Sequence, residues 1–135
     1  MKTLTLIATL SLLAAPAFAE GDAAKGADAF KRCKACHSIV APDGTAVQKG
    51  GKTGPNLYGV IGRPVASVAD FKYGDSIKAA GAKGLVWDEA MLAAYVTDPT
   101  AWLKEQTGDS AAVAKMTFKM STGGEDVAAY LASVK

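Results

Sequence analysis

Both cysteines and the only histidine of this 135-residue chain fall in one pentapeptide, Cys33-Lys34-Ala35-Cys36-His37. Two thiols three residues apart, followed at once by an imidazole, make the C-x-x-C-H pattern of covalent c-type haem attachment. Each thiol can add to a vinyl group of the porphyrin, and the histidine is then held beneath the iron as an axial ligand. A chain so marked folds around a large flat ring, which constrains its architecture more than composition does. Other uses of the pair fit less well. A zinc site lacks ligands, because there is no third cysteine and no second histidine. A redox disulfide pair of the thioredoxin kind needs a preceding strand, and Phe30 to His37 shows no strand pattern.

Residues 1–19 read as a secretory signal peptide. Lys2 supplies the positive start, Leu4 to Ala15 the apolar run, and Ala17-Phe18-Ala19 an A-x-A cleavage site. The mature domain is therefore expected to span 20–135. The apolar run is too short to cross a bilayer, and no later stretch approaches about 20 apolar residues. The expectation is a soluble periplasmic product, in the oxidising compartment where haem attachment competes with disulfide formation. Without Lys2 the formal charge falls from +2 to about +1, a near-balance that argues against general nucleic-acid binding. About 100 residues or a little more suits one domain, and a buried haem adds a large apolar body to its core.

Periodicity predicts helices at both ends. Asp22 can cap a first helix running to about Lys34, with Gly26, Phe30 and Cys33 on one face. Glycine inside a helix costs about 1 kcal/mol against alanine, so Gly26 marks a close crossing with another element. The expected partner is the last helix. There Thr122-Gly123-Gly124-Glu125 has the form of a capping box, and Val127, Tyr130, Leu131 and Val134 follow at helical spacing. Between the ends, Asp75 to Ala82 is a weaker helix, and Asp88 to Thr97 a stronger one with Met91, Leu92, Tyr95 and Val96 on its apolar face. Asp98-Pro99 ends that helix and starts a short one through Leu103. Ser38 to Lys72 reads as loop, and too little alternates at period 2 for a sheet of any size.

Taken in order, these residues resemble the class I cytochromes c, and most closely the larger bacterial c2 type. Gly26 and Phe30 ahead of Cys33 to His37 match the first helix of that family. Thr53-Gly54-Pro55-Asn56-Leu57 with Gly59 and Gly62-Arg63 matches its haem-side loop, and Trp87, Tyr95, Asp98-Pro99, Lys115-Met116-Thr117-Phe118 and Tyr130-Leu131 follow in sequence. The resemblance implies an all-α single domain, with helices and long loops wrapped around one covalent haem c and the terminal helices crossing. Two departures stand out. The segments Ser38 to Thr53 and Leu103 to Lys115 are long, and Ala112-Val113-Ala114 replaces the usual P-G-T approach to the ligand methionine.

Iron with one histidine needs a second partner, and a soft thioether favours the ferrous state. Met1 leaves with the leader and Met91 lies on a helix face; spacing leaves both Met116 and Met120 able to reach the iron. The resemblance implies Met116, with Met120 as packing residue or substitute. It also implies that the Pro55 carbonyl orients His37, that Tyr95 approaches the Met116 sulfur, and that Arg63, Tyr73 and Trp87 hold the haem propionates. A doubly ligated iron has no open position for substrate, so the expected role is one-electron carriage rather than catalysis. The resemblance implies that the carrier runs from a membrane cytochrome bc complex to a photosynthetic reaction centre or terminal oxidase. The alternative is a haem enzyme or gas-binding protein with a labile sixth ligand. Lys34, Lys49, Lys52, Lys72, Lys104, Lys115 and Lys119 are candidates for a docking ring around the haem edge, although spacing does not place them on one face. A monomer is expected.

Overall fold

The computed structural model describes residues 20–135, so the expected leader, Met1 to Ala19, lies outside the described residues. Helix α1, Ala23–Ala29, starts where Asp22 Oδ1 accepts from the amides of Ala24 (2.9 Å) and Lys25 (3.1 Å). It stops short of Lys34. From Phe30 to Arg32 the chain tightens into one 3-10 turn, as helix ends often do, and leads directly into the attachment pentapeptide.

The terminal helices cross as the sequence predicts. Helix α5, Gly124–Ser133, passes so close to α1 that a Cβ on Gly26 would overlap the Asp126 carbonyl and lie 2.7 Å from the Tyr130 Cβ. Only glycine fits there without displacement. Phe30 and Tyr130 meet with ring centroids 5.7 Å apart, and the Asp22 amide donates to Asp126 Oδ1 at 2.8 Å. The capping box does not form. Gly123 occupies the cap in a left-handed conformation (φ 82°) without a side-chain acceptor, so Thr122 falls one residue too early. Glu125 and Asp126 instead place negative charge in the first turn, where the helix dipole favours it.

Helix α2, Asp75–Ala82, precedes α3, Glu89–Thr97, and α4, Pro99–Thr107. Asp88 caps α3 through the Met91 amide at 2.6 Å, and Asp98 caps α4 through the Ala101 amide at 3.0 Å. α4 outruns its expected end at Leu103 by a full turn. Gly108 closes it in the left-handed region, and Lys83 Nζ donates to the last carbonyls, those of Gln106 (2.7 Å) and Thr107 (3.1 Å). The segment expected to be all loop contains a small antiparallel hairpin, β1 Ile39–Val40 with β2 Ala46–Gln48. Strands of two and three residues are too short to show alternation. Phe30, Ile39, Leu103, Met120, Val127 and Leu131 form the most deeply buried part of the core.

Candidate functional site

The pentapeptide is itself a turn of helix-like backbone: the amides of Cys36 (3.2 Å) and His37 (2.9 Å) both donate to the Cys33 carbonyl. Cys33 is half-buried and Cys36 exposed, and burial pushes the Cys33 thiol up from its ordinary range. The following glycine-rich segment folds back onto the turn. Gly51 donates to the Lys34 carbonyl at 2.9 Å and Gly54 to the Cys36 carbonyl at 2.8 Å. A Cβ on Gly54 would collide with the His37 ring, 2.6 Å from both ring nitrogens. The loop backbone thus confines the imidazole.

His37 Nδ1 lies 2.8 Å from the Pro55 carbonyl oxygen. A carbonyl only accepts, so Nδ1 carries the proton and Nε2 keeps its lone pair. Burial lowers the His37 pKa, opposed by the Pro55 hydrogen bond, and the neutral ring is the form that binds a metal. Orientation and tautomer are fixed from outside the ring, as for metal-ligating histidines generally.

The same loop carries Asn56, whose importance the sequence did not reveal. Its side chain pairs with Val40 like a neighbouring strand, donating to the Val40 carbonyl (2.8 Å) and accepting from the Val40 amide (3.0 Å). Its own carbonyl accepts from Arg63 Nη2 at 3.0 Å, while Arg63 Nη1 donates to the Tyr58 carbonyl at 3.2 Å. Backbone bonds then bring Arg63 beside Trp87: Trp87 donates to the Arg63 carbonyl at 3.0 Å, and Gly62 to the Trp87 carbonyl at 2.7 Å. Tyr73 accepts at its hydroxyl from the Val68 amide at 3.2 Å and lies within electrostatic reach of Arg63 and Tyr95. Trp87 packs edge-on against Tyr95 and stacks on Trp102, centroids 5.2 Å apart in both pairs. Burial, then the nearby Tyr73, pushes the Tyr95 hydroxyl up to about 12. The four residues expected around the ring's polar edge and sixth ligand are therefore brought into one group, with Trp102 as an added wall. No motif in the sequence marks Trp102 as part of this group; only its place on α4 brings it there.

Met116 is half-buried against the core, and Met120 is 1 % exposed with its amide donating to the Val96 carbonyl at 2.8 Å. Met120 sits where packing residues sit. The lysines divide. The Lys34 carbonyl binds Gly51, between Lys49 and Lys52 in sequence; Lys115 Nζ donates to the Lys72 carbonyl at 3.3 Å; Lys119 pairs with Asp98 at 2.6 Å. Lys104 lies exposed on α4.

These donors fit a haem. Two thiols three residues apart share one turn, a neutral imidazole keeps its Nε2 lone pair, a thioether lies half-buried, and a cation, a phenol and an indole group together, donors that could pair with haem carboxylates. No group of three or more metal-ligating side chains among the described residues competes with that reading, and no helix among them is long and apolar enough to cross a membrane.

No protein-family model matches the chain. Individual relatives do. It is 60% identical over 136 residues to cytochrome c2 of Rhodobacter capsulatus, covering 99% of this chain and 98% of that protein. It is 59% identical to cytochrome c-550 of Paracoccus versutus, covering 96% of this chain and 87% of the relative. The solved structure of the R. capsulatus cytochrome c2 superposes with a TM-score of 0.83 over 84% of this chain and 97% of that one. The cytochrome c2 structure from Paracoccus denitrificans gives 0.82 at 56% identity, over 84% and 95%. The chain therefore belongs to the cytochrome c2 family of class I c-type cytochromes, electron carriers rather than enzymes, and carries one haem c attached covalently through Cys33 and Cys36.

Proposed function

We propose that this protein is a soluble, monomeric periplasmic carrier, cleaved after Ala19, that moves single electrons from a membrane cytochrome bc complex to a photosynthetic reaction centre or terminal oxidase. The observation that supports the reading is the 2.8 Å bond from His37 Nδ1 to the Pro55 carbonyl, which leaves the Nε2 lone pair free to take an iron. With His37, Met116 would hold the iron, and a protein-ligated iron would leave no position for a substrate. When bound, the haem supplies reversible one-electron chemistry at the iron. The chain's own residues do the rest. Pro55 orients His37 and Tyr95 approaches the Met116 sulfur, while Arg63, Tyr73 and Trp87 offset the propionate charge, which is costly to bury unpaired. Lys34, Lys49, Lys52, Lys72, Lys104, Lys115 and Lys119 steer an acidic partner toward the haem edge, with Lys119 the weakest contributor because Asp98 already offsets its charge.

The test has two arms. Reduced parent protein is expected not to bind carbon monoxide, and Met116→Ala to bind it and to lose the weak iron–sulfur absorption of the oxidised spectrum. If Met120→Ala rather than Met116→Ala removes that absorption, the ligand assignment fails; if the parent binds carbon monoxide readily, the labile-ligand alternative replaces the carrier. In the second arm, electron-transfer rates with isolated reaction centres or oxidase should fall with salt as the Debye length shortens to about 8 Å at physiological strength. A rate indifferent to salt and to Lys34→Glu with Lys115→Glu would remove lysine docking.

A further inference from the structure

From Gly108 to Gly123 the chain forms neither helix nor strand, so the segment around Met116 depends on outside partners for its position. Upstream of Met116, the Val113 amide donates to Ser76 Oγ and the Ala114 amide to Thr100 Oγ1, each at 3.1 Å, and Lys115 Nζ reaches the Lys72 carbonyl at 3.3 Å. Downstream, Lys119 Nζ lies 2.6 Å from Asp98 Oδ2, and the Met120 amide donates to the Val96 carbonyl at 2.8 Å. Asp98 has a special place among these partners. It is at once the last cap of α3 and the first cap of α4, with Oδ1 accepting from the Ala101 amide and Oδ2 turned to Lys119. One residue joins two helices and the segment: its amide closes α3 on the Ala94 carbonyl, and its carboxylate holds the start of α4 and Lys119.

We infer that Asp98 and Lys119 are positioning residues for the Met116 ligand, an ion-pair clamp that holds the downstream half of its loop closed on the α3–α4 corner. The inference rests on Met116 being the sixth ligand. Opening of the loop then competes with iron–sulfur ligation, and the clamp sets part of that equilibrium without touching the iron. The pair is surface-accessible, so its share is modest. Its effect is nonetheless local. Asparagine at position 98 keeps the Oδ1 acceptor for the α4 cap while removing the charge that Lys119 needs, which separates clamp from cap.

The test uses imidazole as probe on the oxidised holoprotein. Imidazole binds only when the sixth ligand has left, so its apparent affinity measures the open fraction. Lys119→Met and Asp98→Asn should each raise imidazole affinity about two- to five-fold. The double variant should match the singles, and Lys119→Arg should restore the parent value. Exchange of the Met120 amide, bonded to Val96 beside the clamp, should quicken in the same variants while exchange in α5 does not. In a Met116→Ala background imidazole should bind much more tightly, with no further effect of Lys119→Met. Unchanged affinity in both single variants, with Met116→Ala behaving as described, would overturn the clamp alone. If Met116→Ala leaves imidazole affinity at the parent value, the ligand reading is overturned and the clamp falls with it.

Discussion

The two sides of the haem site are held by different means. On the histidine side, the attachment turn and His37 are held by main chain: Gly51 and Gly54 donate to carbonyls of the turn, Pro55 offers its carbonyl to His37, and across the loop Gly62 donates to Trp87 and Trp87 to Arg63. On the methionine side it comes from side chains reaching in from elsewhere, namely Ser76, Thr100 and Asp98, and from one buried anchor, Met120. Main-chain bonds cannot be deleted by substitution, but they leave no room, so the histidine side should be vulnerable to added atoms. Side-chain tethers and a single anchor can be deleted, so the methionine side should be vulnerable to lost ones. The expected result is a rigid proximal side and a distal side whose ligand can be detached while the fold survives.

The largest expected effect tests the anchor. Met120→Ala removes a side chain 1 % exposed and leaves a cavity under the methionine loop, which should cost about 2–5 kcal/mol in denaturant unfolding. A loss well under about 1 kcal/mol would mean that the site collapses freely and that the loop has no single anchor. The next effect tests the other side by insertion. Gly54→Ala drives a methyl into the His37 ring and should cost about 1–3 kcal/mol and reduce the yield of covalently loaded protein. Were Gly54→Ala as stable and as fully loaded as the parent, the His37 ring would not be confined by its loop, and the contrast between the two sides would fail.

What the sequence made legible follows the same division. Helix starts written into single residues were readable: Asp22 and Asp98 each cap a helix where expected, and Asp88, expected as the first helical residue, caps α3. The Gly26 crossing was readable because a glycine inside a helical pattern needs a reason, and the motifs of the histidine side lie close together along the chain. The capping box failed because its pattern ignores backbone conformation. Left-handed Gly123 starts α5 without Thr122. The hairpin was too short for periodicity to detect, and Asn56 looked like an ordinary loop residue although its side chain completes β1. Least legible were the distal tethers. Val113 to Ser76 spans 37 positions and Lys119 to Asp98 spans 21, and a serine, threonine or aspartate gives no local sign of a remote partner. The alanine-valine-alanine run that departs from the family's usual approach to the ligand is the stretch those tethers hold.

The smallest effect is a pH dependence that should separate the sides without mutating either ligand. The Asp98 carboxyl is held below its ordinary value, chiefly by the bond from Lys119, then by the Ala101 amide. A carboxylate with a depressed folded-state pKa contributes stability that is present above the unfolded value and is lost as pH falls through the folded one. The clamp is therefore intact at neutral pH and fails only below about 4, the ordinary carboxyl range. Asp22, Asp43 and Asp75 are depressed too, each by its own local partners, so acid weakens the whole molecule and overall unfolding cannot isolate Asp98. The discriminating measurement is imidazole affinity from pH 7 downward, above the onset of global unfolding and corrected for protonation of the free imidazole. In the parent it should rise as the Asp98–Lys119 pair is lost, while in Asp98→Asn it should start higher and stay flat. The histidine side has no carboxylate among its holding groups, so the spectrum of the His37-ligated haem should not change over the same range. Parallel curves for parent and Asp98→Asn would show that acid reaches both sides equally, and the distal loop would then owe its position to its hydrogen bonds and to Met120 alone.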